Sequence, residues 1–231
     1  MKAIVLSLIL ATGLSVSAQA DFTIVQKVET KGGSSEITIK LKGDRIRMEA
    51  TPQMTMIVDA KTGDTLTLMN AQKKFIRISG ETTKAIAEMA AKYGGGTVEK
   101  PKFTATGKKM TINGYEAEEY VGETASFKAS YWIAPKFPDA AALLKQLQAV
   151  TPTAWSDLAK GMLDYRDLPG FPLRTQVTTG EEEITSTITA VKQEPLSDAD
   201  FLVPKDFQEM KMPNVKELSR DQPTAPPPSR P

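Results

Sequence analysis

The sequence contains no cysteine and no histidine. Without cysteine, no disulfide can stabilise the fold and no thiol can act as a nucleophile. Without histidine, the chain lacks the commonest general base and the usual ligand of zinc and copper sites. We therefore expect no metal site, no cofactor and no Ser-His-Asp triad. Carboxylates, or a Ser–Lys pair, are the catalytic groups that these absences leave.

An excess of one charge is also missing, since 29 basic and 28 acidic residues leave a net charge of +1. Charges of both signs are interspersed along the chain. A nucleic-acid-binding surface requires clustered basic residues. We therefore expect no nucleic-acid partner.

No apolar run reaches the roughly 20 residues that a membrane span needs. The longest run, from Ala3 to Leu14, follows Lys2 and precedes Ala18-Gln19-Ala20. A short apolar run between a positive charge and small residues is typical of a cleavable signal peptide. We predict a signal peptide over 1–20 and a periplasmic mature protein, with secretion as the alternative. Because no cysteine follows the run, we expect no lipid anchor.

The other end of the chain, from 216 to 231, is rich in proline and has Leu218 as its single large apolar residue. Such a segment cannot bury enough surface to offset the entropy cost of ordering it. We predict that 216–231 is a disordered tail, which is either a docking segment or spacer or merely a frayed terminus. The length of 21–215 suits one folded domain.

Alternation of apolar and polar residues dominates the first part of this domain. Ile37, Ile39 and Leu41 alternate with polar residues, and similar patterns recur up to Ile78. A period of two predicts strands with one wet and one dry face. Turn signals such as Lys42-Gly43-Asp44 separate them, and short connections require antiparallel neighbours. We predict a six-stranded meander.

The period becomes helical in later regions. Apolar residues at helical spacing predict a helix from Glu81 to Tyr93, a second after Pro138 and a third around Trp155–Met162. Alternation predicts five further strands, at Phe103–Ile112, Tyr115–Glu123, Ala125–Ala134, Phe171–Thr179 and Glu182–Val191.

About eleven strands in one sheet are too many to stay flat, and the helices need a surface for their apolar stripes. We therefore predict an α+β fold in which a large curved antiparallel sheet, a half-barrel of about eleven strands, has helices covering its concave face.

Several short sequence segments, taken in their order along the chain, resemble the LolA/LolB-like superfamily, whose members are periplasmic lipoprotein carriers. The likeness is greatest to a family of uncharacterised exported bacterial proteins in that group. These segments are Phe22–Arg47, Ile57–Gly63, Tyr131–Ala134, Gly170–Arg174 and Asp200–Pro204. The resemblance spans nearly the whole domain and implies an apolar cavity between a half-barrel sheet and its helices.

Methionine and aromatic side chains of the sheet and helices are the candidates to line such a cavity, because methionine adapts to irregular apolar shapes. We predict a lining of Met48, Met54, Met56, Ile86, Met89, Tyr131 and Trp155. The alternative is that these residues only fill an ordinary core.

Acidic clusters are the remaining candidates for chemistry. Glu116, Glu118 and Glu119 share one predicted strand, and Glu181–Glu183 lie at a hairpin. A glycosidase needs two carboxylates facing each other across a cleft, and no pair in the sequence is placed in that way. The segment Asp59–Asp64 lacks the alternating oxygen ligands of a calcium loop, so we predict a hairpin turn there. We predict no catalytic residue.

The leading hypothesis is a non-enzymatic periplasmic carrier or binding protein for a hydrophobic ligand, a lipid or an acylated peptide. We expect its partner to be such a ligand or an acylated protein, without naming a protein partner. The alternative is a non-enzymatic envelope interaction protein with a fully packed interior. A hydrolase using carboxylates or a Ser–Lys pair is the third possibility.

Overall fold

The computed structural model describes residues 20–93, 103–124, 127–149, 169–180 and 182–211. The signal peptide apart from its last residue, the third helical stretch and the tail all lie outside these residues. Those three predictions therefore stay predictions.

The first six strands form the predicted meander, in which each strand pairs antiparallel with the next. Tight turns join them, and Gly43 and Gly63 adopt positive φ there, a conformation that suits glycine. The strands are β1 (Phe22–Thr30), β2 (Gly33–Lys42), β3 (Arg45–Thr51), β4 (Met54–Asp59), β5 (Thr65–Met69) and β6 (Lys74–Ile78).

The rest of the described chain alternates two helices with further strands, and both helices lie where helical spacing predicts them. The elements are α1 (Gly80–Tyr93), β7 (Thr104–Ile112), β8 (Tyr115–Thr124), β9 (Phe127–Ala134), α2 (Ala140–Ala149), β10 (Phe171–Thr179), β11 (Glu182–Gln193) and β12 (Gln208–Glu209).

All twelve strands belong to one open sheet with the order β12-β6-β5-β4-β3-β2-β1-β11-β10-β9-β8-β7. The pairing of β11 with β1 joins the first six strands to the later ones in the middle of the sheet. The prediction of about eleven antiparallel strands misses β12, which pairs parallel with β6. Two residues at the end of a long irregular segment carry no alternation, so the sequence pattern contains no signal for this strand.

The sheet is strongly curled on the side of β7 and β8. The side-chain amide of Asn113, in the turn between these strands, donates a hydrogen bond to the carbonyl oxygen of Ile188 on β11. Strands β8 and β11 are three positions apart in the sheet. In a flat sheet that separation is about 14 Å. The hairpin therefore folds back over the sheet, as the half-barrel prediction requires.

The main core lies where α2 meets the sheet. Leu143 and Leu144 of α2 share a buried cluster with Phe22, Leu41 and Phe171. Helix α2 therefore packs against the sheet, and cover of the concave face by helices stays a prediction. The apolar side chains that predict the stripe of α1 lie outside the described residues.

A buried amide also ties α2 to the strands. With the Gln146 amide oriented to satisfy both neighbours, its oxygen accepts from the Gly43 N–H (3.2 Å) and its nitrogen donates to the Ala20 carbonyl (3.1 Å). Gln146 is fully buried. These bonds offset the cost of removing its amide from water and fix α2 over the β2–β3 turn.

A second core lies under the segment 194–211, which we call the C-terminal strap. Leu196 and Phe201 of the strap are buried against Ile57, Leu68 and Phe75 of β4–β6. The strap contains one turn of 3-10 helix, Asp198–Phe201, and ends in β12. It therefore covers one face of β4–β6 and also pairs with the edge of β6.

Candidate ligand-binding face

Strand register places one continuous row of side chains across the first six strands. Paired residues in an antiparallel sheet lie side by side on the same face. The row consists of Ile24, Ile39, Met48, Met56, Thr67 and Ile76. A neighbouring row on the same face consists of Phe22, Leu41, Ile46, Val58, Thr65 and Ile78. We call this side of β1–β6 the apolar face.

Burial changes along the apolar face. Ile24 is 2% exposed and Ile39 is 9% exposed, and both belong to the core that α2 shares. Met48, Met56 and Ile76 are only half-buried. The row through Ile24 is therefore closed over β1 and β2 and partly open over β3–β6, whereas Val58 and Thr65 of the neighbouring row are buried.

Three of the predicted lining residues meet on the open part. Met48 pairs directly with Met56. Met54, two residues along β4 from Met56, lies on the same face, pairs with Met69 and is 45% exposed. Register therefore brings Met48, Met54 and Met56 together on β3–β5, in a half-open surface that we call the methionine patch, and their role in lining a cavity stays a prediction.

The other predicted lining residues do not join this patch in the described structure. Tyr131 on β9 is buried in a separate cluster with Ala129 and Ile133, and its ring meets that of Phe103 edge to face at 5.1 Å. Its packing is that of a core aromatic residue. The side chains of Ile86 and Met89, and the whole of Trp155, lie outside the described residues.

The structure adds residues that sequence reasoning did not select. Thr67, Met69 and Ile76 continue the patch from β4 to β6. In β6 both alternate sets contain apolar residues, since Phe75 lies between Lys74 and Ile76. Alternation alone could not say which set faces the patch, because only the pairing with β5 fixes it.

The patch has little polarity of its own. Thr65, beside Val58 and Ile78, is buried, and its hydroxyl makes no hydrogen bond within the described part of the chain. Thr67 supplies the other hydroxyl of these rows. The floor of the patch is thus apolar, with isolated groups able to form a hydrogen bond.

The opposite face carries a cationic row that the strap covers. Arg45 pairs with Asp198, and the Arg47 guanidinium donates to the Asp200 carbonyl at 2.8 Å. Lys40 approaches the Asp200 carboxylate at 3.4 Å. The Arg45 guanidinium also lies over the Phe201 ring, 5.1 Å from its centre. Through these contacts the basic residues of β2 and β3 fix the position of the strap on the sheet.

The strap carboxylates respond to these cations. Hydrogen bonds from Arg45 and then Lys42 lower the pKa of Asp198 below its usual 3.8. A hydrogen bond from Lys73 likewise lowers the pKa of Asp206, and the two side chains lie 2.9 Å apart. Opposite charge and hydrogen bonding both favour the ionised carboxylate.

A polar cleft of about 350 Å³ lies at the turn end of β2–β5, away from the methionine patch. Its lining mixes charges of both signs: Asp21, Lys42, Gly43, Asp44, Arg45, Asp59 and Lys61. Asp59 Oδ1 accepts the backbone N–H groups of Lys61 and Thr62 at 2.9 and 3.0 Å. The hairpin predicted for Asp59–Asp64 is confirmed, and the Asp59 carboxylate stabilises its turn.

The acidic cluster on β8 is divided between two faces. Glu116 and Glu118 are two residues apart and point to one side of the sheet, whereas Glu119 points to the other side. Glu116 pairs with Lys109 at 3.1 Å, and Glu119 accepts from the Thr106 hydroxyl at 2.9 Å. Within the described ranges, no three acidic residues are grouped so as to hold a metal ion.

No helix among the described residues is long and apolar enough to cross a membrane.

A family model described as a domain of unknown function, DUF4412, matches residues 23–207. None of the curated proteins compared with the chain matches it. The family match covers every described strand of the meander and most of the strap.

Several solved structures are similar at low identity. PNGF-II is 13% identical with a TM-score of 0.42, over 87% of this chain but only 32% of that one. The lipoprotein LppX of Mycobacterium tuberculosis is 11% identical, TM-score 0.39, over 76% of this chain and 88% of the other. A putative outer membrane lipoprotein-sorting protein domain from Vibrio parahaemolyticus is 11% identical, TM-score 0.29, over 80% and 90%.

Proposed function

We propose that this chain, which belongs to the DUF4412 family of unknown function, is a binding or carrier protein that holds the apolar chain of a lipid or an acylated peptide on its apolar face. The proposal includes no catalytic step. It also places the mature protein outside the cytoplasm, in keeping with the predicted signal peptide.

One observation supports the proposal above the others: the apolar row continues from a closed core onto a half-open surface without a change in character. Met48 and Met56 extend the row that begins with Ile24 and Ile39, but they keep part of their surface accessible. Burying the remaining apolar surface would contribute about 25 cal/mol per Å². A flexible aliphatic chain is a suitable occupant, because methionine side chains adapt to varied shapes.

The competing arrangement is a packed interior in which Met48 and Met56 act only as filler. In that case an apolar probe finds no room on the apolar face, and the protein acts through its outer surfaces. The two arrangements differ in whether the purified protein takes up an apolar molecule with saturation.

The test is titration with N-phenyl-1-naphthylamine, a neutral probe whose fluorescence rises in apolar surroundings. We expect saturable binding by the wild type and loss of binding by Met56→Glu, because the substitution places a charge on the apolar face. Leu202→Glu is the matched control, since Leu202 is 59% exposed and belongs to the strap. It should bind the probe as the wild type does.

Thermal melting of both variants completes the test. If Met56 faces an open surface, the new carboxylate stays near water and Met56→Glu remains folded. No saturable binding by the wild type, together with an unfolded Met56→Glu, would reject the carrier function and favour the packed interior.

A further inference from the structure

Lys74 has an unusual position at the rim of the methionine patch. It pairs with Met69 across the β5–β6 ladder, and Met69 pairs in turn with Met54. Lys74 also alternates with Phe75, which lies in the strap-covered core on the other side. Lys74 therefore lies on the apolar face, in the next row along from Met56 and Ile76.

Lys74 is the one charged residue that the register of β1–β6 places on this face. The other basic residues of these strands lie on the opposite face, as the pairing of Lys40 with Arg47 and of Lys42 with Arg45 shows. Arg77 belongs to that side too, since it pairs with Leu66. A single positive charge thus borders a surface that is otherwise uncharged.

Lys74 is half-buried, and it forms no salt bridge or side-chain hydrogen bond with any described residue. Its neighbour Lys73 differs, because Lys73 is paired with Asp206 of the strap at 2.9 Å. A partly buried ammonium group without a partner is unfavourable, and an anion brought beside it gains a charge-assisted hydrogen bond.

We propose that the ligand of the apolar face is an amphiphile with an aliphatic chain and one anionic headgroup, a carboxylate or a phosphate, which Lys74 binds. This inference rests on the function proposed above and adds the chemistry of the headgroup. The chain lies from Met69 across Met56 and Met48 toward Ile39, and the headgroup stays at the open end beside β6.

The dimensions of the sheet agree with such a ligand. Strands β6 and β2 are four positions apart in the sheet, a separation of about 19 Å at 4.8 Å per strand. One leaflet of a bilayer core, the length of one lipid chain, is about 15 Å. A single extended chain therefore fits between Lys74 and the closed core at β2.

The test uses three competitors with the same chain, namely dodecanoate, dodecyl phosphate and dodecanol, each displacing bound N-phenyl-1-naphthylamine. We expect the wild type to bind at least one anion about tenfold more tightly than dodecanol, an advantage of about 1.4 kcal/mol. Lys74→Met should remove that preference and leave dodecanol binding unchanged. Lys74→Arg should retain it, because the charge is kept.

Lys31→Met is the matched control, because Lys31 is exposed in the β1–β2 turn and its loss changes the net charge equally. It should keep the preference for anions. A preference for dodecanoate alone or for dodecyl phosphate alone supports the inference and identifies the headgroup as carboxylate or phosphate.

The two proposals fail in different ways. Equal affinity of the wild type for all three competitors, or an anion preference that survives in Lys74→Met, overturns the headgroup assignment and leaves the carrier function standing. A Lys74→Met protein that binds dodecanol much more weakly than the wild type does also overturns it, since Lys74 would then only maintain the shape of the face. No saturable probe binding, with no heat from dodecanoate in calorimetry, overturns both.

Discussion

Leu41 and Met56 lie on the same apolar face and differ in burial. Leu41 is fully buried under α2, whereas Met56 is half-buried on the open part. We expect Leu41→Ala to lower the free energy of unfolding by about 2–5 kcal/mol, the cost of lost burial and an unfilled void. Met56→Ala should cost less than about 2 kcal/mol, because part of its side chain is already accessible.

Urea denaturation of both variants measures the difference, and probe titration measures its consequence. Met56→Ala should weaken binding of N-phenyl-1-naphthylamine although it destabilises the fold less than Leu41→Ala. Equal losses of stability would mean that Met56 is packed as tightly as Leu41, contrary to the carrier proposal.

Gly170, the first residue of the segment Gly170–Arg174, lies where the backbone leaves no room for a side chain. A Cβ at this position would lie 2.4 Å from the carbonyl oxygen of Ala134 and 2.6 Å from Cα of Pro135. Both are backbone atoms that cannot move without displacing β9 from β10. We expect Gly170→Ala to lower the free energy of unfolding by about 1–3 kcal/mol through overpacking.

Gly32→Ala is the control for this substitution. The nearest atom to its added Cβ is Thr30 Oγ1 at 3.6 Å, an ordinary contact. Its unfolding midpoint in urea should therefore stay close to that of the wild type. A Gly170→Ala protein as stable as Gly32→Ala would show that the contact between β9 and β10 has room to adjust.

The strap is held partly by carboxylates, so its attachment should depend on pH. Asp198 and Asp206 both have a folded-state pKa below the usual 3.8. Their contribution to stability is present above pH 3.8 and is lost as the pH falls through the lower, folded-state values. We expect hydrogen exchange in the strap, corrected for intrinsic rates, to accelerate below pH 3.8 relative to β1.

Asp198→Asn should accelerate exchange at neutral pH and reduce the change on acidification. Asp139→Asn, at the turn before α2, should leave exchange in the strap as it is in the wild type. Strap exchange that is constant from pH 6 to pH 3 would show that apolar packing, through Leu196 and Phe201, suffices to hold the strap.

The strap and the tail should differ in their importance for the whole domain. Removing residues 216–231 should leave the melting temperature unchanged, because the predicted tail contributes no packing. Removing 194–231 uncovers Ile57, Leu68 and Phe75, and full exposure of each such side chain costs about 1.5–3 kcal/mol. We expect this shorter protein to melt many degrees lower or to be insoluble.

Calorimetric melting of the two truncated proteins beside the full-length protein checks this expectation. Since about 1 kcal/mol shifts the melting temperature of a domain this size by about 2–4 °C, the difference is readily measured. A drop of several degrees on removal of 216–231 alone would contradict the assignment of that segment as a dispensable tail.

Local pattern was enough to predict both helices and every strand of the described chain except β12. The alternation around Ile39 and Met48 predicts β2 and β3, and the helical spacing after Pro138 predicts α2. These signals are short-range, because the two-residue repeat of a strand and the turn chemistry of Gly43 and Gly63 are properties of neighbouring residues. The antiparallel meander followed directly from the short connections.

The prediction that each strand has one solvent-exposed face and one buried face is wrong for β4–β6. Leu66 and Leu68 pair with Ile57 and Thr55, so they lie opposite Met56 and under the strap. This part of the sheet is apolar on both sides. Alternation cannot reveal it, because Phe201, which covers this side, is distant in sequence. The segment Asp200–Pro204 contains no pattern that predicts where it packs.

The sequence alone determines most elements of the described chain, the order of its meander and the residue types that can serve its chemistry. Its composition also provides methionines for an apolar surface. Register and long-range packing determine which of them share a face, that α2 packs with the β1 and β2 residues of that face, and that Lys74 borders the open part. The reason is physical, since a one-residue change of register moves every side chain to the other face, and only contacts between distant segments select the register.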